Sequence, residues 1–124
     1  MRRRVIPRER WREELDSFSQ SHDGWIVRVA VTPPGGEPRI ETRESPLQGV
    51  TAAFDHDAAI AVSVGSGPDV HTTHEVKHPI EVALEETDAA AVTALVIRSA
   101  DGTRTTVEFR SPMRPEEVDG MPSR

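Results

Sequence analysis

The hydrophobic period of the chain changes once, at Gly24, and this change constrains the fold more than any other feature. Before Gly24, three apolar side chains recur at spacings of four and three residues: Trp11, Leu15 and Phe18. This spacing places them on one face of a helix, which we predict over residues 7–22. After Gly24 the pattern alternates, as in WIVRVAVT (residues 25–32), which indicates a strand with one apolar face.

The rest of the chain reads as short strands separated by turn residues. Asp101-Gly102, between two alternating segments, is the strongest hairpin signal. The predicted strands are 25–32, 39–44, 47–54, 59–64, 70–77, 80–86, 94–99 and 103–110. Frequent turns between short strands are typical of antiparallel β domains. We therefore predict an α+β fold that is mainly β. One N-terminal helix is followed by a seven- to eight-stranded antiparallel meander, arranged as a barrel, a roll or a sandwich.

The length and the composition indicate one domain. A chain of 124 residues is long enough to bury a core without cross-links. It has no cysteine, which excludes disulfides, cysteine-ligated metals and thiol catalysis. We expect a flexible basic arm at residues 1–5, a single globular domain at 6–111 and a flexible tail at 112–124, where prolines and mixed charges accumulate.

The net charge of −6 argues against nucleic acid as the main partner, because phosphate binding requires a basic face. The arginine-rich start, with five arginines in residues 1–10, is a local exception. An open alternative is that it contacts an anion or a nucleic acid in a salt-sensitive manner. No apolar segment approaches the length of a membrane span, so we expect no membrane contact and a cytoplasmic protein.

HTTHEVKH, residues 71–78, contains three of the five histidines and raises the question of a metal site. If the segment is a strand, His74 and His78 lie about 13 Å apart, and His71 points to the opposite side. Zinc requires ligands at about 2 Å, so we predict no metal site. Instead, we expect His74 to be a hydrogen-bonded residue at the margin of the core beside Val76, with the other two histidines at the surface.

The remaining polar motifs do not form an ordered catalytic set. Asp55 and Asp57 flank a histidine in a predicted turn, where aspartate commonly bonds its own backbone. We therefore assign no catalytic residue and no cofactor, and retain His74, Asp55 and Asp57 as candidate ligand-binding residues. The favoured interpretation is a non-enzymatic binding or accessory module that contacts an unknown protein partner or a second copy of itself. The alternative is a small ligand-binding protein or an enzyme with a pocket near His74.

Four segments of the sequence resemble one bacterial family. They are IPRERWREELDSFSQSHDGWIVRVAV, SPLQGVTA, HEVKHPIEVALEET and VIRSADGTRTTVEFRSP, of which FSQSHDGW and PLQGV are the most specific. Together they resemble the DUF5335 family of unknown function over residues 5–112. The resemblance implies one domain of bacterial origin, and it implies no activity and no functional residue.

Overall fold

The computed structural model describes residues 2–54, 58–66, 71–89 and 91–110, which form one α-helix and eight strands. A short 3-10 helix, Arg8–Arg10, leads into the α-helix. The elements are β1 (Arg2–Ile6), α1 (Trp11–Ser21), β2 (Ile26–Thr32), β3 (Arg39–Phe54), β4 (Ala58–Gly65), β5 (His71–Lys77), β6 (Pro79–Glu86), β7 (Val92–Ser99) and β8 (Arg104–Phe109).

The eight strands form one antiparallel sheet in the order β1-β6-β7-β8-β2-β3-β4-β5. The predicted fold class, one helix with a mainly antiparallel β structure, is confirmed. The order departs from a single meander because two meanders, β2 to β5 and β6 to β8, are joined where β8 pairs with β2. The sheet is not closed into a barrel. It curls so that β4 and β5 contact β6 and β7.

The bend of the sheet lies in β3, which merges two predicted strands into one of 16 residues. Its first half pairs with β2 and its second half with β4. Register shifts in β3 lie opposite Val29 and beside Gly49. Bulges of this kind increase the local twist of a strand. One strand can therefore belong to both halves of the curled sheet.

The basic N-terminus is a strand rather than the flexible arm expected at residues 1–5, since β1 pairs with β6 in continuous register. Its arginines bind glutamates of β6: Arg3–Glu81 at 2.8 Å, Arg2–Glu86 at 3.4 Å and Arg4–Glu86 at 3.6 Å. The local sequence suggested a solvated terminus. The glutamates that bind these arginines could not be identified from it, because they lie about 80 residues away in the sequence. The expected tail at 112–124 lies outside the described residues.

Helix α1 packs against the sheet with the apolar face that the sequence predicted. Trp11, Leu15 and Phe18 are all buried, and α1 packs against β3. The Trp11 indole Nε1 donates a hydrogen bond to the Ile6 carbonyl at 3.0 Å, which joins the helix to the end of β1. The helix ends at Ser21, one residue before the predicted end, and Gly24 follows with a φ of +85°, a conformation that glycine adopts without strain.

Candidate ligand-binding cleft

A cleft of about 470 Å³ lies between β5 and the β7–β8 hairpin. Five consecutive residues of β5, 73–77, form one wall. The remaining lining residues come from β2, β3 and the hairpin: Val31, Arg39, Glu41, Ser99, Asp101, Thr103 and Thr105. The cleft is thus lined mainly by hydroxyls and by charges of both signs.

The hairpin side of the cleft is held by hydrogen bonds within its turn. The Asp101 carboxylate accepts a hydrogen bond from the Thr103 backbone N–H at 2.9 Å, and this bond lowers the pKa of Asp101. The Ala100 N–H donates to the His78 carbonyl at 2.9 Å, which ties this turn to the turn after β5. The predicted Asp101-Gly102 hairpin is confirmed. One end of the cleft is therefore fixed.

His74 projects from β5 towards the core side of the sheet, where it is half-buried. Its Nε2 lies 3.0 Å from the Thr42 hydroxyl of β3. Val76, the next residue on the same face, is 5% exposed. The expectation of a hydrogen-bonded histidine at the core margin is confirmed, and the structure adds Thr42 as its partner.

The other residues singled out in the sequence do not join His74. His71 and His78 are exposed. The described part of the chain contains no group of three or more histidine, aspartate or glutamate side chains that could hold a metal ion. Asp55 and Asp57 lie outside the described residues, so their predicted role stays a prediction.

At the opposite end of the β5 wall, the start of β3 contributes an ion pair. Arg39 Nε lies 2.7 Å from Glu41 Oε2, and both residues are exposed. This hydrogen bond lowers the pKa of Glu41, with smaller contributions from the charges of Arg39 and His74. The cleft therefore has a charged rim at each end, with Asp101 at the hairpin and this pair at β3.

Two buried hydroxyls in the cleft were not anticipated from the sequence. Ser99 is 7% exposed and Thr105 is 4% exposed, and neither side chain makes a hydrogen bond to a described residue. Both occupy inward-facing positions that continue the apolar rows of β7 and β8. The alternation of each strand could have predicted that its terminal hydroxyl points inward. The sequence could not show that the two hydroxyls face the same cleft.

Comparison with solved structures supports the architecture. The crystal structure of the YojF protein from Bacillus subtilis is similar with a TM-score of 0.50 and 9% identity, and the match covers 92% of this chain and 99% of that chain. At this identity the likeness concerns the fold alone. No curated protein matches the chain.

Within the described residues, no helix has the length and apolar character that crossing a membrane requires. The sequence itself matches a described family over residues 2–118, which extends the resemblance noted in its four segments to nearly the whole chain. The chain belongs to DUF5335, a family of unknown function.

Proposed function

We propose that this domain is a non-enzymatic binding module and that its ligand occupies the cleft between β5 and the β7–β8 hairpin. The observation that carries the proposal is the pair of buried hydroxyls, Ser99 and Thr105, without a hydrogen-bond partner among the described residues. A buried polar group without a partner costs about 1–3 kcal/mol of stability. Such a cost is understandable where the group serves a bound ligand.

The chemistry of the lining defines the class of ligand. Hydroxyls at Ser99, Thr103 and Thr105 can each donate and accept hydrogen bonds. Val31 and Val76 add a small apolar surface. A ligand with several hydrogen-bonding groups, charges of both signs and little apolar bulk matches this lining best.

His74 supports binding rather than catalysis. Its Nε2 is engaged by the Thr42 hydroxyl, while its Nδ1 makes no hydrogen bond to a described residue. An imidazole that activates a hydroxyl is usually oriented by a third group at the other nitrogen. In this proposal, His74 positions the wall of the cleft through Thr42.

The alternative function is that of a small hydrolase in which His74 activates Thr42. It is favoured by one observation, the 3.0 Å contact between the two side chains. It predicts turnover of p-nitrophenyl acetate that Thr42→Val and His74→Gln both abolish. Equal rates for the wild type and both variants would eliminate it.

Two measurements on the full chain test the binding proposal. Native mass spectrometry of freshly purified protein should show a retained ligand that the double variant Ser99→Ala/Thr105→Val loses. Thr51→Val serves as the matched control, because Thr51 is exposed on β3 and does not line the cleft. The free energy of unfolding of the ligand-free double variant, measured in urea, should also exceed that of the ligand-free wild type by about 2–6 kcal/mol, because two unsatisfied hydroxyls are removed at about 1–3 kcal/mol each. The proposal would be overturned if the wild type retains no ligand and the double variant is less stable than the wild type.

A further inference from the structure

We propose that the cleft receives an extended peptide segment of a partner protein, which adds to the free edge of β5 as an antiparallel strand. This inference rests on the proposed function, since it names the class of ligand for the same cleft. Strand addition obtains its affinity from main-chain hydrogen bonds and its specificity from alternate side chains.

Within the part of the chain that the structure describes, the outer edge of β5 carries a regular row of main-chain groups with no strand paired to them. β5 is a terminal strand of the sheet and pairs with β4 over seven residues without a register shift. The His78 N–H donates to the Ala58 carbonyl at 3.2 Å, so His78 and every second residue before it direct their main-chain groups towards β4. The N–H and C=O groups of Thr73, Glu75 and Lys77 consequently point away from β4.

This edge faces the cleft. Successive side chains of a strand point to opposite faces, so a cleft against one face would be lined by every second residue. Residues 73–77 line the cleft consecutively. The wall is therefore the edge of the strand, with its three outward-directed sets of main-chain groups, rather than either of its faces.

The other terminal strand of the sheet is shorter and more highly charged than β5. β1 has five residues, is followed by Pro7, and carries three arginines that bind Glu81 and Glu86. Charged side chains and short length are common means of blocking edge pairing. β5 is longer, regular and beside a cleft, so an added strand is expected at β5 and not at β1.

The side chains around the edge define the partner segment. In an antiparallel addition, one residue of the segment lies opposite Lys77 and the residue two positions later lies opposite Glu75. Opposite charges at such positions stabilise pairing, which selects an acidic residue followed two positions later by a basic one. The intervening residues point towards Ser99 and Thr105 and must be small or able to hydrogen bond.

Titration of a synthetic peptide into the full-length protein tests the inference directly. The probe is acetyl-Gly-Asp-Val-Lys-Ser-Thr-Val-amide, and binding is followed by calorimetry and by amide hydrogen exchange of β5. We expect protection at Thr73, Glu75 and Lys77 when the peptide binds. Exchanging Asp and Lys in the peptide should weaken binding about two- to fivefold.

Backbone-modified probes separate strand addition from side-chain recognition. N-methylation of the peptide Asp or Lys removes an N–H that pairs with β5 and should weaken binding about tenfold or more. N-methylation of the intervening Val or Ser removes an N–H that points away from β5 and should have a much smaller effect. Equal losses at both kinds of position would overturn strand addition.

A matched pair of protein variants completes the test. Glu75→Pro removes one outward N–H, a change that edge strands tolerate, and should abolish binding. Glu75→Ala removes the same charge but keeps the N–H, and should weaken binding only a few-fold. Urea unfolding of both variants establishes that each is folded. Similar affinities for the two variants would overturn the inference.

The outcomes distinguish this inference from the proposed function. If the peptide does not bind, but a retained ligand is lost in Ser99→Ala/Thr105→Val, the cleft is a binding site for another class of ligand and only strand addition is overturned. A native dimer that Glu75→Pro dissociates would assign the edge to a second copy of this chain, which also overturns the partner peptide. If the wild type neither binds the peptide nor retains a ligand, both proposals are overturned.

Discussion

The Ser19 hydroxyl contacts both main-chain polar groups of Val50, the N–H and the carbonyl. It accepts a hydrogen bond from the Val50 N–H at 2.7 Å and lies 3.0 Å from the Val50 carbonyl, while its distance to the Leu15 carbonyl is 2.8 Å. Val50 itself is fully buried. One side chain of α1 thus replaces a strand partner at the bend of β3, where the register shifts beside Gly49.

Ser19→Ala should therefore destabilise the fold by about 1–3 kcal/mol, because it leaves the buried Val50 N–H without its acceptor. Ser17→Ala is the matched control, since Ser17 is exposed on the same helix and gains the same helix propensity. Urea unfolding followed by circular dichroism measures both. Equal stabilities of the two variants would contradict the structural role of Ser19.

The two tryptophans should respond very differently to truncation. Trp11 is 1% exposed and donates its indole N–H to Ile6, whereas Trp25 is only half-buried. Trp11→Ala should cost about 3–5 kcal/mol, as expected for a buried aromatic residue. Trp25→Ala should cost less than that, because Trp25 is only partly buried at the margin of the core.

Denaturant midpoints measured by circular dichroism compare the two variants without relying on tryptophan fluorescence. Trp11→Phe is the informative intermediate, because it keeps most of the apolar volume and an aromatic ring but removes the hydrogen bond to the Ile6 carbonyl. Its loss should be about 1–3 kcal/mol. A Trp25→Ala variant less stable than Trp11→Ala would contradict the deeper burial of Trp11.

The local sequence was sufficient for features whose signals lie within one element. The Trp11, Leu15 and Phe18 spacing predicted the buried helix face, and Asp101-Gly102 predicted the hairpin, because helix periodicity and turn chemistry are local properties. The margin position of His74 followed from strand alternation. None of these inferences required knowledge of strand order.

The features that the sequence analysis predicted wrongly or missed depend on contacts between segments that are distant in the sequence. Arg2 and Arg4 appear solvated until β6 brings Glu86 beside them, and residues 39–54 appear as two strands until the sheet bends. The cleft could not be predicted because β5 and the β7–β8 hairpin become neighbours only when the sheet curls. Non-local pairing of this kind leaves no periodic signal in the sequence.

The ion pairs of Glu86 should stabilise β1 modestly. Its side chain is 10% exposed, but Arg2 and Arg4 are 60% and 50% exposed, so solvent screens both contacts. We expect Glu86→Gln to cost about 1 kcal/mol and the loss to shrink at high salt. Glu108→Gln, which removes a more exposed partner of Arg28, is the control and should cost less.

Deleting residues 1–4 addresses the same contacts and decides the role of the basic N-terminus. The deletion removes most of β1 and uncovers one edge of β6. Thermal unfolding should therefore show a lower midpoint than the full chain. An unchanged midpoint would contradict a stabilising role of β1 and would support the flexible arm that the sequence predicted.

The pH dependence of stability should report on His22, which lies at the end of α1 among Phe18, Trp25 and Phe109. Its ring stacks on Phe109 with centroids 4.9 Å apart. Nδ1 lies 2.8 Å from the Phe18 carbonyl, which can only accept, so Nδ1 carries the proton. Burial lowers the pKa of His22 below its ordinary 6.5, and the bond to Phe18 offsets part of this effect.

A lowered pKa fixes the direction of the pH effect. As pH falls through 6.5, the unfolded chain binds a proton at His22 before the folded chain does, so stability is lost from that point down to the folded-state pKa. His22→Phe keeps an aromatic ring in the cluster but cannot titrate. The free energy of unfolding of the wild type should therefore decline relative to that of His22→Phe as the pH is lowered through 6.5. Parallel curves for the two proteins, or a wild type that gains stability on acidification, would show that burial does not hold His22 in its neutral form.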